Sequence, residues 1–129
     1  MLSWDDVRTL AGRGVEIASH TVSHAILTGL PAAQVECELR LSKEHLESKI
    51  GRAVVGFAFP NGGRDDFNDE HVALLKQLGY AYACTTVWGV NYPGSDPFRI
   101  RRIGVGADSR ALLDLKLAIA EGSTQPCAA

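Results

Sequence analysis

Two histidines, His20 and His24, stand four positions apart in the stretch Ser19-His20-Thr21-Val22-Ser23-His24. Neutral imidazoles are good ligands for zinc and other late transition metals. If the segment makes about one helical turn, both rings face one ion. The hydroxyls of Ser19, Thr21 and Ser23 lie where one could hydrogen-bond a second ring nitrogen and fix its tautomer. The same spacing also suits two plain surface histidines in a polar loop. A hydrolytic zinc site further needs a third protein ligand and an open position, and the spacing supplies neither.

The elements around this stretch must place it. Residues 15–18 are a short apolar run and predict a strand leading into the histidine turn. Before them, Ser3 and Asp6 have capping-box spacing, Trp4, Val7, Leu10 and Ala11 form one apolar face, and Gly14 follows as a stop. Pro31 suits the first turn of a second helix, with Val35, Leu39, Leu46 and Ile50 in helical period and Gly51 as its end. The charged residues of that helix, Glu38 among them, read as a solvated face. Residues 54–59 predict a nearly all-apolar second strand, broken sharply by Pro60-Asn61-Gly62-Gly63. Asn68 or Asp69 caps a third helix ended by Gly79. Residues 80–86 and 98–105 read as two further strands, and Asp108 or Ser109 caps a last helix with Leu112, Leu113, Leu115 and Ile119. Strands alternating with helices predict an α/β fold with a mostly parallel sheet. In such a sheet the loops after the strands share one end, where ligand sites gather. That brings His20 and His24, Pro60 and Asn61, and residues 85–88 together.

Length and composition set bounds. A chain of 129 residues suggests one domain large enough for a real core. The net charge of -2 gives no electrostatic case for nucleic acid or an anionic membrane. No apolar run reaches the ~18 residues of a membrane span, and the acidic start Asp5-Asp6 is not that of a signal peptide. Three scattered cysteines, Cys37, Cys84 and Cys127, form neither a disulfide framework nor a thiolate zinc cluster. Residues 122–129 are expected to be a disordered tail beyond a domain of residues 1–121.

Several other residues have an ordinary and a chemical reading. His45 and His71 fall in helices and are expected to be exposed. Arg99, Arg101 and Arg102 form a basic run whose ordinary reading is a solvated strand end or an ion pair to a helix acid. The alternative is a charge partner for a site carboxylate or an acidic glycan. Trp88 and Tyr92 either pack their loop or stack on a sugar ring.

The stretch 20–24 resembles the H-[S/T]-x-x-H motif of the polysaccharide deacetylases, the NodB-homology or carbohydrate esterase family 4 domain. The approach to it at 2–7 and 14–17, the segment Phe57-Ala58-Phe59-Pro60-Asn61-Gly62, the pairs Gly79-Tyr80 and Thr85-Thr86, and the run from Pro97 to Val105 also resemble that family. The similarity covers residues 2–121. It implies a partial, distorted (β/α) barrel that removes N- or O-acetyl groups from a carbohydrate polymer. It also implies zinc or another divalent transition metal held by one Asp together with His20 and His24. The backbone N–H of Asn61 becomes the oxyanion donor, and Pro60, Asn61 and Trp88 become substrate contacts.

The sequence departs from this pattern in three ways. The family's T-F-D-D-G segment, with its metal-binding Asp and its base, belongs upstream of Met1. Asp5 and Asp6 read instead as first-turn helix acids. Asn61 stands where Tyr is usual, and no L-x-H occurs near the C-terminus. The chain alone is therefore expected to be weak or inactive, the rival reading being a non-catalytic relic or an oligomeric glycan-binding module. Without the first βα units, a sheet edge is expected to stay open, with Ile17, Phe57 and Phe59 exposed and a homo-oligomer covering them.

Overall fold

Local signals set the helix ends much as the sequence suggests. Ser3 caps α1 (Trp4–Gly12) in a reciprocal capping box with Asp6. Helix α2 (Ala32–Ile50) starts after Pro31 and ends at Gly51, which takes the left-handed conformation at φ 70°. Asn68 caps α3 (Asp69–Gln77), its side chain accepting from the His71 N–H. These belong to a computed structural model that describes residues 2–122. Three strands, β1 (Gly56–Ala58), β2 (Tyr82–Trp88) and β3 (Ile100–Arg102), and a final helix α4 (Arg110–Gly122) complete the order. The tail expected beyond the domain lies outside the described residues, apart from Gly122, which closes α4. No helix among the described residues is long and apolar enough to cross a membrane.

The sheet is open and parallel, in the order β1-β2-β3. The strand expected at 15–18 does not form. What remains is a parallel bridge between Ser19 and Phe57, with the Ser19 N–H donating to Gly56 at 2.9 Å and the Ala58 N–H donating to Ser19 at 2.9 Å. The physical reason is competition for the backbone. Arg52 donates to the carbonyls of Ala11 and Val15 at 2.8 and 2.7 Å, which holds this stretch outside the ladder. The strand expected at 98–105 is likewise shortened. Asp96 accepts from the Phe98 N–H at 2.9 Å, and Pro97 opens a 3-10 turn over Pro97–Arg99. The strand proper starts at Ile100.

Side-chain alternation decides which face is covered. Phe57, Phe59, Ala83 and Thr85 are buried, whereas Ala58, Tyr82 and Cys84 are half-buried on the opposite face. The buried face packs on Val35 and Leu39 of α2 and on Val72 and Leu75 of α3. Its aromatic spine is continuous. Phe57 meets Phe59 edge-on at 5.2 Å and Tyr80 at 5.5 Å, and Phe59 stacks on Phe67 at 3.9 Å. The expectation that Phe57 and Phe59 face water is therefore incorrect: they are 0% and 1% exposed. They point to the helix side, and the open side carries smaller or polar side chains. Buried polar groups are paired too, with the Ser19 and Ser42 hydroxyls 2.6 Å apart and the Tyr80 hydroxyl donating to Leu39 at 2.9 Å. Burial pushes the Tyr80 phenol up to about 12.

Leu39 is fully buried at the centre of this core. Leu39→Ala is expected to cost ~2–5 kcal/mol, a large share of a domain stability of ~5–15 kcal/mol. Urea unfolding measures it, and a loss below ~1 kcal/mol would contradict this placement of the core.

Candidate metal and acyl-transfer site

His20 follows directly on Ser19, so the bridge to β1 sets its position. Its Nδ1 lies 2.7 Å from the carbonyl oxygen of Ala58. A carbonyl only accepts, so Nδ1 carries the proton and Nε2 of the neutral ring keeps its lone pair for an ion. The hydroxyls considered for this role have other partners. Thr21 donates to the His20 carbonyl at 2.5 Å, and Ser23 donates to Glu38 at 2.7 Å.

The loop does not make the helical turn that the spacing allowed. Thr21 and His24 both have left-handed backbones, at φ 64° and 61°. This is a costly conformation for a β-branched residue and needs support from its surroundings. Glu38 of α2 gives that support. Its carboxylate accepts from the N–H groups of Val22 and Ser23 at 2.7 and 3.0 Å, and from the Ser23 hydroxyl. The folded-back loop sets the His20 and His24 rings 4.7 Å apart at 75°. Both residues are exposed. Two imidazoles in this arrangement fit part of a zinc site. Among the described residues no group of three or more metal-binding side chains is gathered.

The second loop is the turn after β1. Asn61 and Gly62 are both left-handed, at φ 58° and 72°. Asn is the non-glycine residue that best tolerates this. A side chain at Gly62 would also press on the Phe59 carbonyl and the Thr86 N–H, each 3.0 Å from a Cβ built there. The turn is tied at both ends. Thr86 bonds the carbonyls of Asn61 and Gly62 at 2.6 and 2.9 Å, while Asp66 accepts from the Asn61 side-chain amide at 2.8 Å and from the Gly63 N–H at 2.6 Å. No described residue accepts the Asn61 backbone N–H. Pro60 is fully buried at the start of the turn. Trp88, at the end of β2, is 38% exposed.

Other candidates lie elsewhere. Asp6 is engaged with Ser3, whose hydroxyl and N–H hold its carboxyl below the ordinary range, and Asp5 pairs with Arg8. His45 is exposed beside the Trp4 ring, 5.3 Å away. His71, expected to be exposed, is buried. It is the third residue of α3, its Nδ1 accepts from the Asn68 N–H at 3.3 Å, and burial lowers its pKa. Arg99 takes the ordinary role, paired with Asp69 at the start of α3 and with Asp96 at 2.7 Å. Arg102 donates to the Thr85 carbonyl at 2.5 Å. Sequence reasoning missed Glu38 and the Ala58 carbonyl. Glu38 looks like any acid on a charged helix face, and a backbone carbonyl leaves no mark in a sequence.

Burial works to raise the Glu38 carboxyl, but hydrogen bonds from Ser23 and Val22 outweigh it and hold it below its ordinary value of 4.5. A carboxyl lowered by folding contributes stability above its unfolded value and loses it as pH falls through the lowered one. The Val22 and Ser23 amide resonances are therefore expected to hold steady above about pH 4.5 and to move together below it. Glu38→Ala is expected to abolish that transition. Amides that titrate identically in the variant would contradict the assignment.

Comparisons with known proteins bear on the family and the fold. The polysaccharide deacetylase family model matches residues 2–83. A candidate polysaccharide deacetylase of Bacillus subtilis (strain 168), YxkH, is 25% identical over 104 residues, covering 81% of this chain and 36% of its own. The solved structure of the Streptococcus pyogenes deacetylase PplD in complex with acetate superposes with a TM-score of 0.80 at 21% identity, over 90% of this chain and 50% of that one. BC0361, a polysaccharide deacetylase from Bacillus cereus, gives 0.73 at 26% identity, over 89% and 36%. The chain thus spans between about a third and a half of the length of these proteins. On the match over residues 2–83, this chain belongs to the polysaccharide deacetylase family.

Proposed function

We propose that the chain provides the histidine half of a metal-dependent carbohydrate deacetylase site, acting on an acetylated polymer. The observation that carries this is the His20–His24 pair, 4.7 Å apart, with Nδ1 of His20 committed to Ala58. Zinc, or another divalent transition metal, would be held by Nε2 of His20 and by His24, together with a carboxylate from outside the described residues. When bound, such an ion supplies Lewis acidity and lowers the pKa of water.

The chain's own residues supply the rest of the reading. Deacetylation adds the oxygen of water to the acetyl carbon, breaks the bond to the sugar nitrogen or oxygen, and releases acetate. As negative charge develops on the acetyl oxygen, the Asn61 N–H, which has no acceptor among the described residues, would donate to it. Thr86 and Asp66 fix that donor in advance, so little reorganisation is needed. The exposed Trp88 ring suits stacking on a sugar further along the polymer.

A homo-oligomer is part of this reading, but its support moves. With Phe57 and Phe59 buried, the reading rests instead on exposed apolar side chains such as Leu112, Leu115, Leu117 and Ile119 of α4, each more than two-fifths exposed.

Zinc titration by calorimetry is expected to show weak binding that either His20→Ala or His24→Ala removes. Acetate release from acetylated chitooligosaccharide by the zinc-loaded chain is expected to be slow, since loss of a general base alone costs ~10²–10⁴-fold. Zinc binding unchanged in both variants would refute the metal assignment. Zinc binding without any acetate release would favour the non-catalytic reading.

A further inference from the structure

Beyond the histidine loop and the Asn61 turn lies a cavity of about 350 Å³. Arg64, Phe67, Asp69, Val87, Arg99 and Arg101 line it. It opens beside the turn just described, since Arg64 follows directly on Gly63. Three arginines line it with one acid, Asp69, and a second acid, Asp96, lines the adjoining hollow, in a chain whose net charge is -2. The positive charge is therefore local and does not follow from overall basicity.

The three arginines are not equivalent. Arg99 is neutralised by Asp69 and Asp96. No described residue accepts a hydrogen bond from the guanidinium of Arg64 or Arg101. Arg101 is nevertheless well placed, because Asn91 clamps its backbone, donating to its carbonyl at 2.9 Å and accepting from its N–H at 3.0 Å. The result is a fixed main chain with an unengaged fork of donors. A planar guanidinium matches a carboxylate with two parallel hydrogen bonds.

The shape of the cavity narrows the ligand further. Its volume exceeds that of a bare ion, and Phe67 and Val87 give it an apolar wall. Phe67 is held by stacking on Phe59. An adjoining hollow of about 320 Å³ shares Arg99 and Arg101 and reaches Tyr92, which is 49% exposed. Apolar walls suit the C–H face of a pyranose.

We propose that this groove binds an acidic saccharide, with Arg64 and Arg101 on the carboxylate of a uronic acid unit. The inference rests on the deacetylase reading and deepens it, naming the polymer as an acidic glycan. The groove lies on the side of β3, so the acidic unit occupies a neighbouring position on the polymer rather than the acetylated one.

Calorimetry at low salt on the purified chain tests this without any turnover. Trigalacturonate is expected to bind, more weakly as salt is added. Arg64→Gln and Arg101→Gln are each expected to weaken it about tenfold or more, the loss of one charge-assisted contact. Arg110→Gln makes the same charge change at a side chain 96% exposed on α4, and is expected to leave binding unchanged. Unaltered melting temperatures verify that the variants fold. No trigalacturonate binding at millimolar concentration, or equal binding in both groove variants, overturns the proposal. Inorganic phosphate or neutral chitotriose binding as tightly as trigalacturonate overturns it too, by reducing the site to a bare-anion or a general sugar site. Trigalacturonate binding by a chain whose zinc binding is unchanged in His20→Ala and His24→Ala leaves the groove in place and overturns the metal-site reading instead.

Discussion

The two hydrogen bonds between Ser19 and β1 are the constraint on which the rest depends. They bring a segment that is otherwise not a strand alongside Gly56 and Ala58. From that alignment it follows that His20 meets the Ala58 carbonyl, three residues before the turn at Asn61. The bridge is short, and the surroundings reinforce it. The Ser19 hydroxyl is buried against Ser42 of α2, and Glu38 of the same helix holds the loop four residues on. One helix thus anchors both the base and the tip of the histidine loop. A shift of α2 by one turn would break both contacts at once.

Backbone strain is concentrated where chemistry is proposed. The non-glycine residues with left-handed backbones among the described residues are Thr21, His24 and Asn61. All three lie in the two loops that carry the candidate ligands and the candidate oxyanion donor. Each loop has its own acid as a brace, Glu38 for the first and Asp66 for the second. Strained conformations persist only where neighbours over-determine them, and they gather at functional sites. That both loops share the device is consistent with a site built from the two together.

Much of this was legible in the sequence where the signal is local. The Ser3 capping box, the Gly51 stop and the Asn68 cap depend on residues within one helical turn of each other, and they appear as expected. The alternating order of elements was enough for a parallel α/β sheet. The residues that were misread depend on distant partners. An apolar run at 15–18 looks like a strand until Arg52, thirty-seven positions from Val15, takes its carbonyl. His71 looks like a surface residue until its place in the cap is known. Phe57 and Phe59 alternate correctly, but alternation says only that they share a face, and the covering helices decide which face is buried.

The proposed metal role of His20 requires that Ala58 hold Nδ1–H and leave Nε2 free for an ion. Long-range proton–nitrogen correlation spectra of the chain report ring tautomers directly. The expected result is the Nδ1–H tautomer for His20 in its neutral form, and a concerted shift of one nitrogen on each of His20 and His24 when zinc is added. An Nε2–H tautomer for His20, or zinc leaving both rings unperturbed, would contradict it.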